Sequence, residues 1–243
     1  MQKLKIYKKS PVMRNTALFA IFSVLYLRVT TSFVKGVSAL ATGTTVDFLL
    51  ENIYLIATLI IFCIALFRGR KYSKYLYLIF IFQGIYLGFT HYMVALDKFI
   101  LILNFAYIIL SYNFYLFMSS DLQEASNTPT IEAGDLYTGL TINSDLVVKT
   151  TAKEIKAKFI NWDETTCFVK IEGPISKIKG NVDLAWNFEG NTYKCNGLIV
   201  TGAEGLGIGI KLTDYNIEES GVFSWSEFYD IINSRGYTSE LMA

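Results

Sequence analysis

"GLIVTGAEGLGIGIKL", residues 197–212, holds five glycines in sixteen residues. A phosphate-binding loop and a turn between two strands both use glycine, for different reasons. A dinucleotide loop needs G-x-G-x-x-G between a strand and a helix. Gly205 and Gly207 supply G-x-G, but Ile210 stands where the third glycine belongs, and the G-K-[ST] ending of a P-loop is absent. Leu206, Ile208, Ile210 and Leu212 alternate with Gly207, Gly209 and Lys211. That period of two is a half-buried strand, so no helix N-terminus follows to receive a phosphate. The stretch reads as a hairpin: strand "NGLIVT", turn "GAEG", strand "LGIGIKL". Gly202 and Gly205 permit the positive φ of the turn. Gly207 and Gly209 fall on the polar face, where they permit close backbone approach or sharp curvature.

The same alternation extends upstream. Val182, Leu184, Trp186 and Phe188 alternate with Asp183, Ala185 and Asn187; Cys167, Val169 and Ile171 form a second set; Ile155, Ala157 and Phe159 a third. About six strands in about 80 residues, joined by short turns, predict a small antiparallel β-barrel. A helix closes the chain. Ser224 and Glu227 have capping-box spacing, Trp225, Phe228, Ile231 and Ile232 share a face, and Gly236 after Arg235 is a stop. The expected domain is 136–243, preceded by a polar linker over 119–135 that contains Pro129 and Gly134.

The first half has a different composition. A bilayer core needs about 20 mostly apolar residues per helix. Four stretches qualify, roughly 16–34, 48–67, 73–96 and 99–118, predicting a four-helix transmembrane domain over 16–118 behind a basic tail at 1–15. The first has too long an apolar run, and no suitable cleavage site, for a signal peptide. Twelve Lys and Arg against Asp47, Glu51 and Asp97 give +9 before residue 120; ten against eighteen acids give −8 after it. Lys3, Lys5, Lys8, Lys9 and Arg14 lie in the tail, and Arg68, Arg70, Lys71 and Lys74 between the second and third stretches; the other loops hold only Lys35 and Lys98. Basic segments stay in the cytoplasm, so both termini are expected on the cytoplasmic side of the membrane.

Charges inside the spans call for partners. Arg28 lies roughly 18 Å from the inner end of the first span and Glu51 roughly 24 Å from that of the second, at 1.5 Å per residue. The expectation is an Arg28–Glu51 pair in the outer half, with Asp47 as the other candidate, acting as structural glue. A transport pathway is the alternative use. His91 is expected near the outer interface. The three cysteines Cys63, Cys167 and Cys195 include no C-x-x-C, and His91 is the only histidine, which argues against a zinc site and a disulfide framework.

A strand ending in "GLIV", a short turn, "GIGIKL" and a terminal helix resemble the end of a PilZ domain. The preceding "INWDETTCFVKIEGPI" resembles that family's [DN]-x-S-x-x-G segment with its following strand. The likeness covers about residues 136–236. It implies a barrel that binds cyclic di-GMP through an R-x-x-x-R arm and the [DN]-x-S-x-x-G loop. Here the arm is "KEIKAKF", with Lys153, Lys156 and Lys158 in place of arginine; the loop has Asn161, but Asp163 where serine is expected and Thr166 where glycine is expected. Lysine lacks the fork that pairs with a guanine edge, and Asp163 repels phosphate, so tight binding of the dinucleotide is not expected.

The resulting reading is a non-enzymatic regulatory protein that docks by protein–protein contact onto a membrane partner or a second copy of itself. A polysaccharide synthase, flagellar motor or pilus base is the kind of machine expected. A cyclic di-GMP receptor and a small transporter or channel with a regulatory barrel are the alternatives. The soluble half has no histidine and no phosphate loop to suggest an enzyme, and its −8 balance disfavours nucleic acid.

Overall fold

The computed structural model describes residues 4–127, 146–150, 154–171, 180–214 and 221–234. The chain divides into two compact units. One is Lys9–Leu122; the other joins the first eight residues to Gln123 and everything after it.

The first unit is helical. Helix α1 spans Pro11–Lys35, α2 Thr42–Glu51, α3 Ile53–Phe67, α4 Ser73–Ala95 and α5 Lys98–Gln123. Ser10 caps α1, its hydroxyl accepting from the Met13 N–H at 3.0 Å, and Pro11 supplies a preset φ at the first helical position. Gly36 ends the helix at φ +63. Helices α1, α4 and α5 are long and apolar enough to cross a membrane. The second expected span is not one helix. It breaks at Asn52, where α2 and α3 meet at 79°. Helix α3 has 15 residues, so it is about 22 Å long against a hydrocarbon core of about 30 Å. An apolar run in sequence carries no mark of such a bend.

Small residues let α5 reach α4. Gly84 and Gly88 leave room for the Tyr107 ring and the Asn104 amide; a Cβ at Gly84 would stand 2.7 Å from the Tyr107 hydroxyl. Asn104 donates to the Gly88 carbonyl at 2.9 Å and accepts from the Tyr26 hydroxyl at 2.7 Å, which ties α1 into the same contact. Asn104 is 3% exposed, so its amide is satisfied inside the unit and does not face lipid.

The second unit is a closed six-strand antiparallel barrel with a C-terminal helix. Strand β1 is Leu4–Ile6, β2 Leu146–Lys149, β3 Glu154–Trp162, β4 Thr166–Ile171, β5 Asn181–Phe188, β6 Asn191–Ala203 and β7 Gly207–Asp214; α6 is Trp225–Ser234. The order β6-β5-β2-β3-β4-β7 closes through the β6–β7 pairing. Inward residues follow the alternation in the sequence: Ile155, Ala157 and Phe159 on β3, Val182, Leu184 and Trp186 on β5, Ile208, Ile210 and Leu212 on β7. Trp225 and Phe228 of α6 complete the core against Phe159, Trp186 and Tyr193. The capping box forms, with the Ser224 N–H donating to Glu227 Oε2 at 2.7 Å and the Glu227 N–H to Ser224 Oγ at 3.4 Å. The expected stop at Gly236 lies outside the described residues.

Two features depart from the sequence reading. The basic tail is partly a strand: β1 pairs antiparallel with β6, Leu4 opposite Ala203 and Ile6 opposite Thr201. Three residues are too few for a periodicity to register. The turn is also shifted. Strand β6 runs through Gly202 to Ala203, and only Gly205, at φ +77, has the expected positive φ. Gly202 instead lies against the Tyr7 ring, which would stand 2.7 Å from a Cβ there.

Candidate functional site

The turn between β3 and β4 carries the residues that the resemblance singles out. Asp163 Oδ1 accepts from the N–H groups of Thr165 at 2.8 Å and Thr166 at 2.6 Å; Oδ2 accepts from the Thr166 hydroxyl at 2.7 Å. The carboxylate thus closes its own turn, as aspartate commonly does. It also reaches a distant part of the chain, taking the Ala125 N–H at 2.9 Å. The Ser126 N–H donates to the Thr166 hydroxyl at 3.0 Å, and the Ser126 carbonyl accepts from the Thr201 hydroxyl. A single 3-10 turn, Ala125–Asn127, is thereby fixed to the outside of the barrel.

This explains the glycines. Phe168, Gly209 and Thr201 occupy matching positions on β4, β7 and β6. Gly209 was expected on a polar face, but it is buried, because Ser126 covers it. A Cβ at Gly209 would lie well inside contact distance of the Ser126 carbonyl and the Thr201 hydroxyl. Gly207, at φ +145, would drive a Cβ into the Val169 carbonyl. The G-x-G motif is where backbone meets backbone.

The remaining residues of this set are dispersed. Lys156 and Lys158 are exposed on β3 between the buried Ile155, Ala157 and Phe159. Lys158 stands opposite Lys170, a like-charge pair with no use in packing. Asn161 follows a register shift in β3 and accepts from the Trp162 N–H at 2.9 Å. Lys153 lies outside the described residues. Burial foremost, then Cys195 and Asp163 nearby, pushes the Cys167 thiol well above its ordinary pKa. It stays a thiol at neutral pH, a poor nucleophile.

Asp163→Ala removes the acceptor from five donors, the Thr165 hydroxyl at 3.4 Å included. Leaving such groups unmatched costs 1–3 kcal/mol each where water cannot reach them, so we expect a total loss of about 2 kcal/mol for this half-buried turn. Thermal unfolding followed by tryptophan emission checks it. All three tryptophans, Trp162, Trp186 and Trp225, lie in the barrel unit, so the signal reports that unit alone. An unchanged midpoint would show that the turn does not hold the 125–127 segment.

The helical unit has its own polar site. Arg28, 6% exposed, donates through Nε to Thr45 Oγ1 at 3.4 Å, through Nη1 to Ser32 Oγ, and through Nη2 to the Ser38 carbonyl at 3.3 Å and Thr44 Oγ1. The expected Arg28–Glu51 pair does not form. Glu51 pairs with Lys35 at 2.7 and 2.9 Å, with both side chains half exposed. The cause is the path of α2. Thr44 meets Arg28 and Glu51 meets Lys35, both sixteen residues on. The first turn of α2 reaches Arg28, and its last residue reaches Lys35. Asp47 shares with Arg28, Lys35 and Glu51 an open cavity of 390 Å³, lined also by Thr31, Val37, Thr44, Phe48 and Leu50. His91 lies one turn before the end of α4, as expected, and is buried there, with Thr30 and Thr31 of α1 each 3.2 Å from a ring nitrogen.

A double-mutant cycle on Arg28→Ala and Glu51→Ala should then give a coupling energy below about 0.5 kcal/mol, because no hydrogen bond or ion pair joins the two. The Lys35–Glu51 cycle should give no more than about 1 kcal/mol, as exposed pairs do. A large Arg28–Glu51 coupling would restore the pairing expected from sequence.

No protein-family model matches the chain, and a search of curated proteins finds no match.

Proposed function

We propose that this is a non-enzymatic membrane protein whose cytoplasmic, PilZ-like barrel regulates or docks onto a membrane-embedded machine of the bacterial envelope, such as a polysaccharide synthase, flagellar motor or pilus base. One observation carries the choice of docking over ligand reception. The Asp163–Thr166 turn, where the resemblance places a ligand, holds the chain's own Ala125 and Ser126. The exposed Lys156 and Lys158 present point charges and no guanidinium fork.

Calorimetry with the full chain in mild detergent tests this. The expected dissociation constant for cyclic di-GMP is no tighter than roughly tens of micromolar; at about 10 µM the binding free energy is only about −7 kcal/mol. A submicromolar constant that depends on Lys153, Lys156, Lys158 and Asn161 would make the protein a receptor. Purification under the same conditions is expected to bring down an integral membrane partner or a second copy of the chain.

The pairing of β1 supports a reading with both ends of the helical segment on one side of the membrane. Residues 4–6 pair with β6, so the chain leaves the barrel unit at residue 8 and returns to it at residue 123. A folded unit lies on one side of a membrane, so residues 9–122 cross an even number of times. Three long helices alone would be odd; with the bent α2–α3 pair as the fourth crossing, the number is even. The nine basic residues of the tail and the α3–α4 turn support a cytoplasmic side. A reporter fused after Ala243 should be active only in its cytoplasmic form, and a periplasmic signal would overturn the topology.

A further inference from the structure

We infer that the cavity between the end of α1 and α2 binds a small zwitterion, a primary ammonium joined by a short spacer to a phosphate or carboxylate, with the phosphoethanolamine headgroup as its best-matched form. Four charged side chains line the cavity: Arg28, Lys35, Asp47 and Glu51. Lys35 and Glu51 neutralise each other. One positive and one negative charge remain.

The positive charge is Arg28. A guanidinium has five N–H donors. Four bonds, to Thr45, Ser32, Ser38 and Thr44, are formed, and every acceptor is neutral. One donor and the whole charge are left for a ligand, at a side chain 6% exposed. The negative charge is Asp47, which is exposed and takes no hydrogen bond from any described residue. An anion alone would meet Asp47 unfavourably, and a cation alone would meet Arg28. A molecule carrying both answers both. Val37, Phe48 and Leu50 offer apolar contact for the carbons between its charges. A volume of 390 Å³ suits a small ligand. The inference does not depend on what the barrel docks onto.

The test follows the unfolding of the full chain in detergent by helix ellipticity during titration with phosphoethanolamine, phosphocholine and inorganic phosphate. Phosphocholine keeps both charges but has no N–H to give Asp47. At about ten times its dissociation constant, phosphoethanolamine should raise the midpoint by about 6 °C, with phosphocholine and phosphate giving less than half of that. Asp47→Asn should erase the preference for ethanolamine over choline. Asp47 is exposed and holds no other group, so this variant should fold. A preference that survives Asp47→Asn, or no preference for ethanolamine over choline either in solution or in lipid discs, would overturn the proposal. Repeating the measurement in lipid discs containing phosphatidylethanolamine or phosphatidylcholine identifies the source. A preference in both formats assigns a soluble zwitterion as sufficient; a preference only in discs assigns the lipid.

Discussion

Gly209→Ala should be among the most damaging single-methyl additions in this protein, lowering barrel stability by about 3 kcal/mol, or roughly 15 °C in the unfolding midpoint of a unit this size. The new Cβ collides with the Ser126 carbonyl and with Thr201, and backbone cannot rotate away as a side chain can. Relief requires lifting the 3-10 turn from the sheet, which also strips the Ala125 and Ser126 N–H groups of Asp163 and Thr166. Gly207→Ala should be comparable, since it adds a positive φ that L residues rarely adopt to a clash with the Val169 carbonyl. Gly43→Ala in α2 is the contrast: a Cβ there meets nothing within 4 Å, and in a helix alanine is favoured by up to about 1 kcal/mol. Tryptophan emission should therefore show two unstable barrels and one unchanged. A midpoint for Gly209→Ala within about 2 °C of the parent would mean that the 125–127 segment is not seated on β7.

Trp186→Ala should cost about 3–5 kcal/mol, the range for emptying a large aromatic site. Trp186 is 1% exposed, and its ring lies 5.6 Å from Phe159, 5.6 Å from Tyr193, 5.7 Å from Trp225 and 5.1 Å from Phe228, centroid to centroid. Two of these neighbours belong to α6, so the cavity also loosens the helix. Trp186→Phe should be much milder. It keeps most of the packing and removes an indole N–H that is buried without an acceptor. Ellipticity of the strands, measured against temperature, separates the two. If the alanine variant loses less than about 1 kcal/mol, the aromatic cluster is not what holds α6 to the barrel.

The sequence alone determined the elements whose signal is local. Alternation at 155–159, 167–171, 182–188 and 206–212 named the strands, because one buried face imposes a period of two wherever it occurs. Ser224 and Glu227 named the start of α6, since a capping box needs only residues three apart. The absence of a third glycine and of a following helix settled "GLIVTGAEGLGIGIKL" as a hairpin. The motif said that Gly207 and Gly209 made room, and left open for what. The tertiary structure decided every matter of partnership. Ser126 lies 83 residues before Gly209, and Asp163 holds Ala125 from 38 residues away; no spacing within either segment encodes the other. Strand β1 is too short to show a period and exists by pairing with β6. Arg28 and Glu51 seemed matched because depth was counted along straight helices; the 79° bend at Asn52 gave Glu51 to Lys35 and Arg28 to hydroxyls. A charge chooses its partner by distance in space, and that distance is set by how the helices pack.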